Sequence, residues 1–156
     1  MHFVLHKDIR QNQTIRWLLV VYLVSIILFL LFMPLLEHWG LGLWPEDLIR
    51  QVRGSSAAYL EPKSMADLVL DIHIKLFLHS IMGLILTVVA TRTRLRLIRP
   101  AMLVLFMFPI LEFLMLIALS LFSPLWAYPK VLVFVSLWLV QLSLALYLLN
   151  FVRRRP

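Results

Sequence analysis

Of the chain's 156 residues, 62% are hydrophobic and 15% charged, and the mean hydropathy is +0.93. A soluble domain carries about a quarter charged residues and just under half apolar ones, and a chain of this length holds one domain, so the surplus apolar surface must face lipid. Cysteine is absent, which excludes disulfides, thiolate metal sites, iron–sulfur clusters and covalently attached haem.

The net charge of +7 would suit nucleic acid in a soluble protein. Here no basic patch lies on a soluble unit. The expected partners are therefore the lipid bilayer and other membrane-protein subunits, and not nucleic acid.

In chain order, Lys7, Arg10 and Arg16 precede a charge-free apolar run over 17–36. About 20 such residues cross a hydrocarbon core of about 30 Å. The run is longer than the apolar core of a signal peptide, and no small-x-small site follows it, so it is expected to stay as the first span. A sizeable outer loop over 37–67 comes next. Within it, Pro45-Glu46-Asp47 opens a short helix with Leu48, Ile49 and Val52 on one face, expected to lie flat on the bilayer surface. Gly54-Ser55-Ser56 ends that helix, and Ser64 with Asp67 three residues on forms a capping box for the next.

The second span covers 68–91 and carries Asp71, His73, Lys75 and His79 in its first half. Arg92, Arg94, Arg96 and Arg99 link it to a third span over 100–122, interrupted only by Glu112. A short, stiff turn from Ser123-Pro124 to Pro129-Lys130 leads to a charge-free fourth span over 131–152. None of these runs alternates as a barrel strand would, and helices satisfy their own backbone groups in lipid. The expected fold is an all-α integral membrane bundle of four transmembrane helices, a single membrane domain over 1–156.

With Arg153, Arg154 and Arg155 at the end, ten of the fifteen basic residues fall on one side of this arrangement. The other side has Arg50, Arg53, Lys63, Lys75 and Lys130, offset by Glu37, Glu46, Asp47, Glu61, Asp67 and Asp71. The positive-inside rule puts the first group, and so both termini, in the cytoplasm. Trp39, Trp44, Trp126 and Tyr128 at the outer boundary and Trp17 at the inner one agree with it.

Ionisable groups inside a membrane are costly and usually face the bundle interior. Glu112 is the clearest, just past the bilayer centre, with Pro109 three residues before it to kink the helix. Asp71, Lys75 and His79 recur every four residues and line one face; Asp71 can pair with Lys75, whose chain can reach towards headgroups. His79 and Glu112 fall at the same depth, with Gln141 and Ser136 of the fourth span in the same slab. A buried His79–Glu112 pair, supported by Asp71, Lys75, Ser136 and Gln141, is the most specific expectation. It serves either helix packing or the binding of a proton, cation, quinone or cofactor.

No cofactor is expected outright, and haem b is the one to weigh. His73 and His79 lie on one helix about 240° apart and cannot clamp one iron. His38 with His73 is the pairing that geometry allows, both at the outer interface. A metal held by Asp71, His73 and His38 is disfavoured because Asp71 and His73 diverge on a regular helix. No constellation names a reaction, so no catalytic residue is assigned.

The motifs Pro45-Glu46-Asp47, Arg53-Gly54, Pro62-Lys63-Ser64 and His73-x-Lys75-x-x-x-His79 resemble a loose group of uncharacterised bacterial inner-membrane proteins of about this length. The likeness runs from Pro45 to Glu112 and implies four helices, a histidine-rich start to the second span and an acid in the third. This chain departs from it at Lys75, where the group favours a second histidine. On proportion alone, four spans with little extramembrane mass suggest a non-catalytic subunit of a larger inner-membrane complex, respiratory or electron-transfer in kind. The alternative is a small redox or ligand-binding membrane protein using its intramembrane histidines and acid.

Overall fold

The computed structural model describes residues 13–93 and 98–154. Lys7, Arg10, Arg94, Arg96 and Arg155, used above for orientation, lie outside the described residues. Five α-helices follow in order: α1 Gln13–Gly40, α2 Pro45–Arg53, α3 Met65–Ala90, α4 Ile98–Leu121 and α5 Ala127–Arg153. Single 3-10 turns at Ser56–Ala58 and Pro124–Trp126 lie between them. Helices α1, α3, α4 and α5 are long and apolar enough to cross a membrane, and no strand occurs among the described residues. The protein is a four-helix membrane bundle.

Each long helix buries a stripe at alternating spacings of three and four. On α5 it runs Ala127, Lys130, Phe134, Leu137, Gln141, Leu144 and Leu148; on α1 it is Leu23, Ile26, Leu30, Met33 and Glu37. Such a seam keeps neighbouring helices in register and favours near-antiparallel packing with a slight left-handed twist. Helix α5 is the hub, packed on both α1 and α4, with α3 lying against α4 and inclined towards α5.

The stripes meet in two apolar clusters. One joins Leu23, Leu30, Leu86, Leu105, Leu137 and Leu148 through the middle and the basic end. The other, at the opposite end, joins Leu41, Leu48, Val52, Leu68, Ile72, Leu116 and Leu119.

The second cluster corrects the reading of α2. Leu48 and Val52 are fully buried against α3, α4 and the start of α5. The apolar face of α2 finds protein rather than lipid, so this helix is a lid on the bundle. It is held by a clasp built from the loop motifs. Ser55 and Leu60 exchange backbone hydrogen bonds at 2.8 and 3.0 Å, and the Lys63 amide donates to the Val52 carbonyl at 3.2 Å. Ser64 caps α3 by accepting from the Asp67 amide at 3.1 Å. The Asp67 carboxylate accepts from the Ser64 hydroxyl at 2.6 Å rather than reaching back to its amide.

Two prolines sit inside spanning helices, Pro34 in α1 and Pro109 in α4. Pro34 has no N–H to give the Leu30 carbonyl, and an unpaired carbonyl in a membrane interior is costly. The Trp138 indole of α5 donates to that carbonyl instead, at 2.7 Å. Trp138→Phe is therefore expected to lose about 1–3 kcal/mol of stability, read by thermal unfolding in detergent. The loss should shrink sharply in a Pro34→Ala background, where the helical donor returns. An equal loss in both backgrounds would separate Trp138 from the proline.

Candidate functional site

Between the two apolar clusters lies a polar layer to which all four spanning helices contribute. Glu37 of α1 is 3% exposed and sits at the centre of an ionic chain. Lys75 of α3 reaches one of its oxygens at 2.5 Å, and Lys130 of α5 bonds the other. Lys130 also lies 3.2 Å from Glu112 of α4. The series Lys75–Glu37–Lys130–Glu112 has two cations and two anions, so it brings no net charge into the bundle. Lys130 is 1% exposed, and its ammonium also stands 5.2 Å from the Phe134 ring. Helix α2 covers the same end of the bundle, packing beside the start of α5 from which Lys130 enters.

One step deeper, Gln141 of α5 donates its amide to His79 Nδ1 of α3 at 3.1 Å. With Nδ1 accepting, the neutral imidazole carries its proton on Nε2. That nitrogen has no hydrogen-bond partner among the described residues, and neither has Gln141 Oε1. His79 is 2% exposed. A cavity of about 20 Å³ separates α3 from α4 here, lined by Lys75, His79, Pro109 and Glu112 among apolar neighbours. One water needs about 10–15 Å³ of such space, so the cavity suits a single water-sized guest.

The expected site residues are thus distributed in a definite way. His79 and Glu112 face one cavity, but no hydrogen bond joins them among the described residues; His79 is held by Gln141 and Glu112 by Lys130. Lys75 belongs to the layer through Glu37. It does not pair with Asp71, which instead binds Lys63 at 2.6 Å in a partly exposed ion pair at the outer edge. Both pairings cross elements: Lys75 of α3 turns inward to Glu37 of α1, and Lys63 of the loop before α3 takes Asp71. Ser136 does not enter the layer either, because its hydroxyl donates to the Leu132 carbonyl of its own helix at 2.7 Å.

His38 and His73 are both exposed, on α1 and α3, and α1 lies against α5 rather than α3. No hydrogen bond or ion pair involves either among the described residues. Among the described residues no three His, Cys, Asp or Glu side chains gather as metal ligands.

Glu37 and Lys130 were assigned by the sequence to the outer loops, and both stand inside helices, because α1 runs on to Gly40 and α5 begins at Ala127. A signal for them did exist. Glu37 extends the spacing of Leu30 and Met33, and Lys130 precedes Phe134 and Leu137 in the same rhythm.

The model of a family of transmembrane helical domains matches residues 42–155, from just before the lid to the end of α5. No curated protein and no solved structure matches the chain.

Proposed function

The chain belongs to this transmembrane helical domain family, Aq_1264_TM, and from that premise we propose that it is a non-catalytic subunit of a larger complex in a bacterial inner membrane, with both termini cytoplasmic. The observation that carries the proposal is the self-cancelling chain Lys75–Glu37–Lys130–Glu112. Its ionisable groups are spent on one another and tie four helices together. Beside them the cavity, at about 20 Å³, has the size of a single water. What such a bundle offers to other molecules is its lateral surface. In this reading the complex is a respiratory or electron-transfer assembly. The orientation is supported by the clustering of Arg16, Arg92, Arg99, Arg153 and Arg154 at the end away from the lid.

Purified in mild detergent at native expression, the protein should run in an assembly well above its own 18.3 kDa. A stable lone monomer would end the proposal. One observation favours a second reading, a small ligand- or proton-binding membrane protein: His79 Nε2 stands unpartnered beside the cavity that Glu112 also lines. The absorption spectrum and elemental content of the same preparation separate the two. A Soret band or a stoichiometric metal would promote the second.

A further inference from the structure

At the arginine-rich end, α1 and α5 leave a groove of about 420 Å³ between them, lined by Arg16, Trp17, Val20, Val24, Leu149 and Arg153. The two helices run antiparallel, so the start of one meets the end of the other. Arg16, Val20 and Val24 recur every four residues on α1, and Leu149 and Arg153 do so on α5. Residues four apart share a helix face, so each wall of the groove has an arginine at its mouth and aliphatic side chains below. From Arg16 to Val24 the groove follows α1 for about 12 Å at the helical rise per residue. Neither guanidinium has an ion-pair partner among the described residues, and Trp17 is 57% exposed at the same level.

We propose that this groove is a binding site for an anionic phospholipid, whose phosphate bridges Arg16 and Arg153 and whose acyl chain lies along Val20, Val24 and Leu149. The charge complementarity is specific. Guanidinium matches phosphate with paired parallel hydrogen bonds, whereas an isolated pair of cations at a helix junction repels itself unless an anion sits between them. The apolar floor favours a lipid over a free anion, because inorganic phosphate would leave Val20, Val24 and Leu149, below the arginines, without an apolar partner in the groove. The indole of Trp17 lies where amphipathic rings prefer the headgroup level. Basic pockets between spanning helices recognise acidic headgroups in this way. A lipid seated here would fasten α1 to α5 at the end opposite the lid.

The test is competitive binding by native mass spectrometry of the intact chain in mild detergent. Phosphatidylglycerol and phosphatidylcholine of equal chain length are supplied together, and the readout is independent of membrane orientation. Two arginines near a headgroup are expected to favour the anionic lipid by about thirtyfold. The preference should fall to near parity in Arg16→Gln/Arg153→Gln and persist in Arg50→Gln/Arg53→Gln at the lid end. Val24→Trp fills the groove while leaving both arginines, so it should reduce lipid binding as well, and it decides the matter if the double variant does not fold. Equal binding of the two lipids would overturn the proposal. So would a preference unchanged in either groove variant, or displacement of the bound lipid by millimolar inorganic phosphate, which would mark a simple anion site.

Discussion

Lys130→Met is expected to lower stability by about 3–5 kcal/mol, the cost of removing one partner from a buried charge pair. The lysine is 1% exposed and holds Glu37 and Glu112 at once. Its loss leaves Glu37 with Lys75 alone and Glu112 with no cation, both in a setting where isolated charge is poorly tolerated. Replacing the whole chain by Glu37→Leu/Lys75→Met/Lys130→Met/Glu112→Leu should recover most of that loss or exceed the parent. Well-packed apolar side chains often match or better a buried ionic network once no orphan remains.

Lys63→Met is the contrast, because its ion pair with Asp71 is partly exposed and such pairs contribute about 0–1 kcal/mol. Unfolding in detergent measures all three. A Lys130→Met protein within about 1 kcal/mol of the parent would place the layer outside the folded core's energetics. A fourfold variant as damaged as the single one would mean that packing, and not charge pairing, governs this layer.

Gly54→Ala is expected to detach the lid. Gly54 has φ 78° and ψ 172°, a backbone region that is almost exclusively glycine's and costs any other residue about 1–3 kcal/mol. A methyl group there would also stand 2.7 Å from the Leu60 carbonyl oxygen and 2.8 Å from the Pro62 nitrogen. Those atoms are backbone, so they cannot turn aside as a flexible side chain would. They belong to the clasp that returns the chain from α2 to α3, and displacing them frees α2 from the bundle.

The chain has no cysteine, so Leu48→Cys provides a unique reporter at a fully buried lid position. In detergent its labelling by a polar thiol reagent should be slow, and Gly54→Ala should speed it about tenfold or more, following the added opening free energy. Unchanged labelling would mean that the lid does not depend on the turn at Gly54. The same residue explains why Arg53-Gly54 and Pro62-Lys63-Ser64 stand together in this sequence. The glycine makes the turn, the proline packs on it, the lysine amide ties back to Val52 and the serine starts α3.

The sequence marked the four spans well, and it marked the deep polar residues His79, Glu112 and Gln141, because a charge or amide in an apolar run stands out without any knowledge of packing. It assigned Glu37 and Lys130 to loops for the opposite reason. Each lies near the edge of its apolar run, where a charge normally signals the end of a helix, and only the carry of α1 to Gly40 and the early start of α5 at Ala127 bring them inward. The amphipathic pattern of α2 was equally legible, but an apolar face does not state what covers it. Leu48 and Val52 would suit lipid or protein alike, and the tight turns at Gly42 and Gly54, with φ of 89° and 78°, point them at the bundle.

By itself the sequence determined the class of the protein and its four apolar spans, since these follow from transfer of side chains between water and lipid, a property each residue carries alone. Which side of each spanning helix faces its neighbours was hidden, because in lipid the outward face is as apolar as the inward one and the usual amphipathic contrast vanishes. Tertiary structure decided the partners: Lys130 with Glu37 and Glu112, Lys75 with Glu37 in place of Asp71, and Gln141 with His79. Pairing between residues as far apart as Glu37 and Lys130 depends on how the helices are rotated and seated, and that is settled by the packing of all four together.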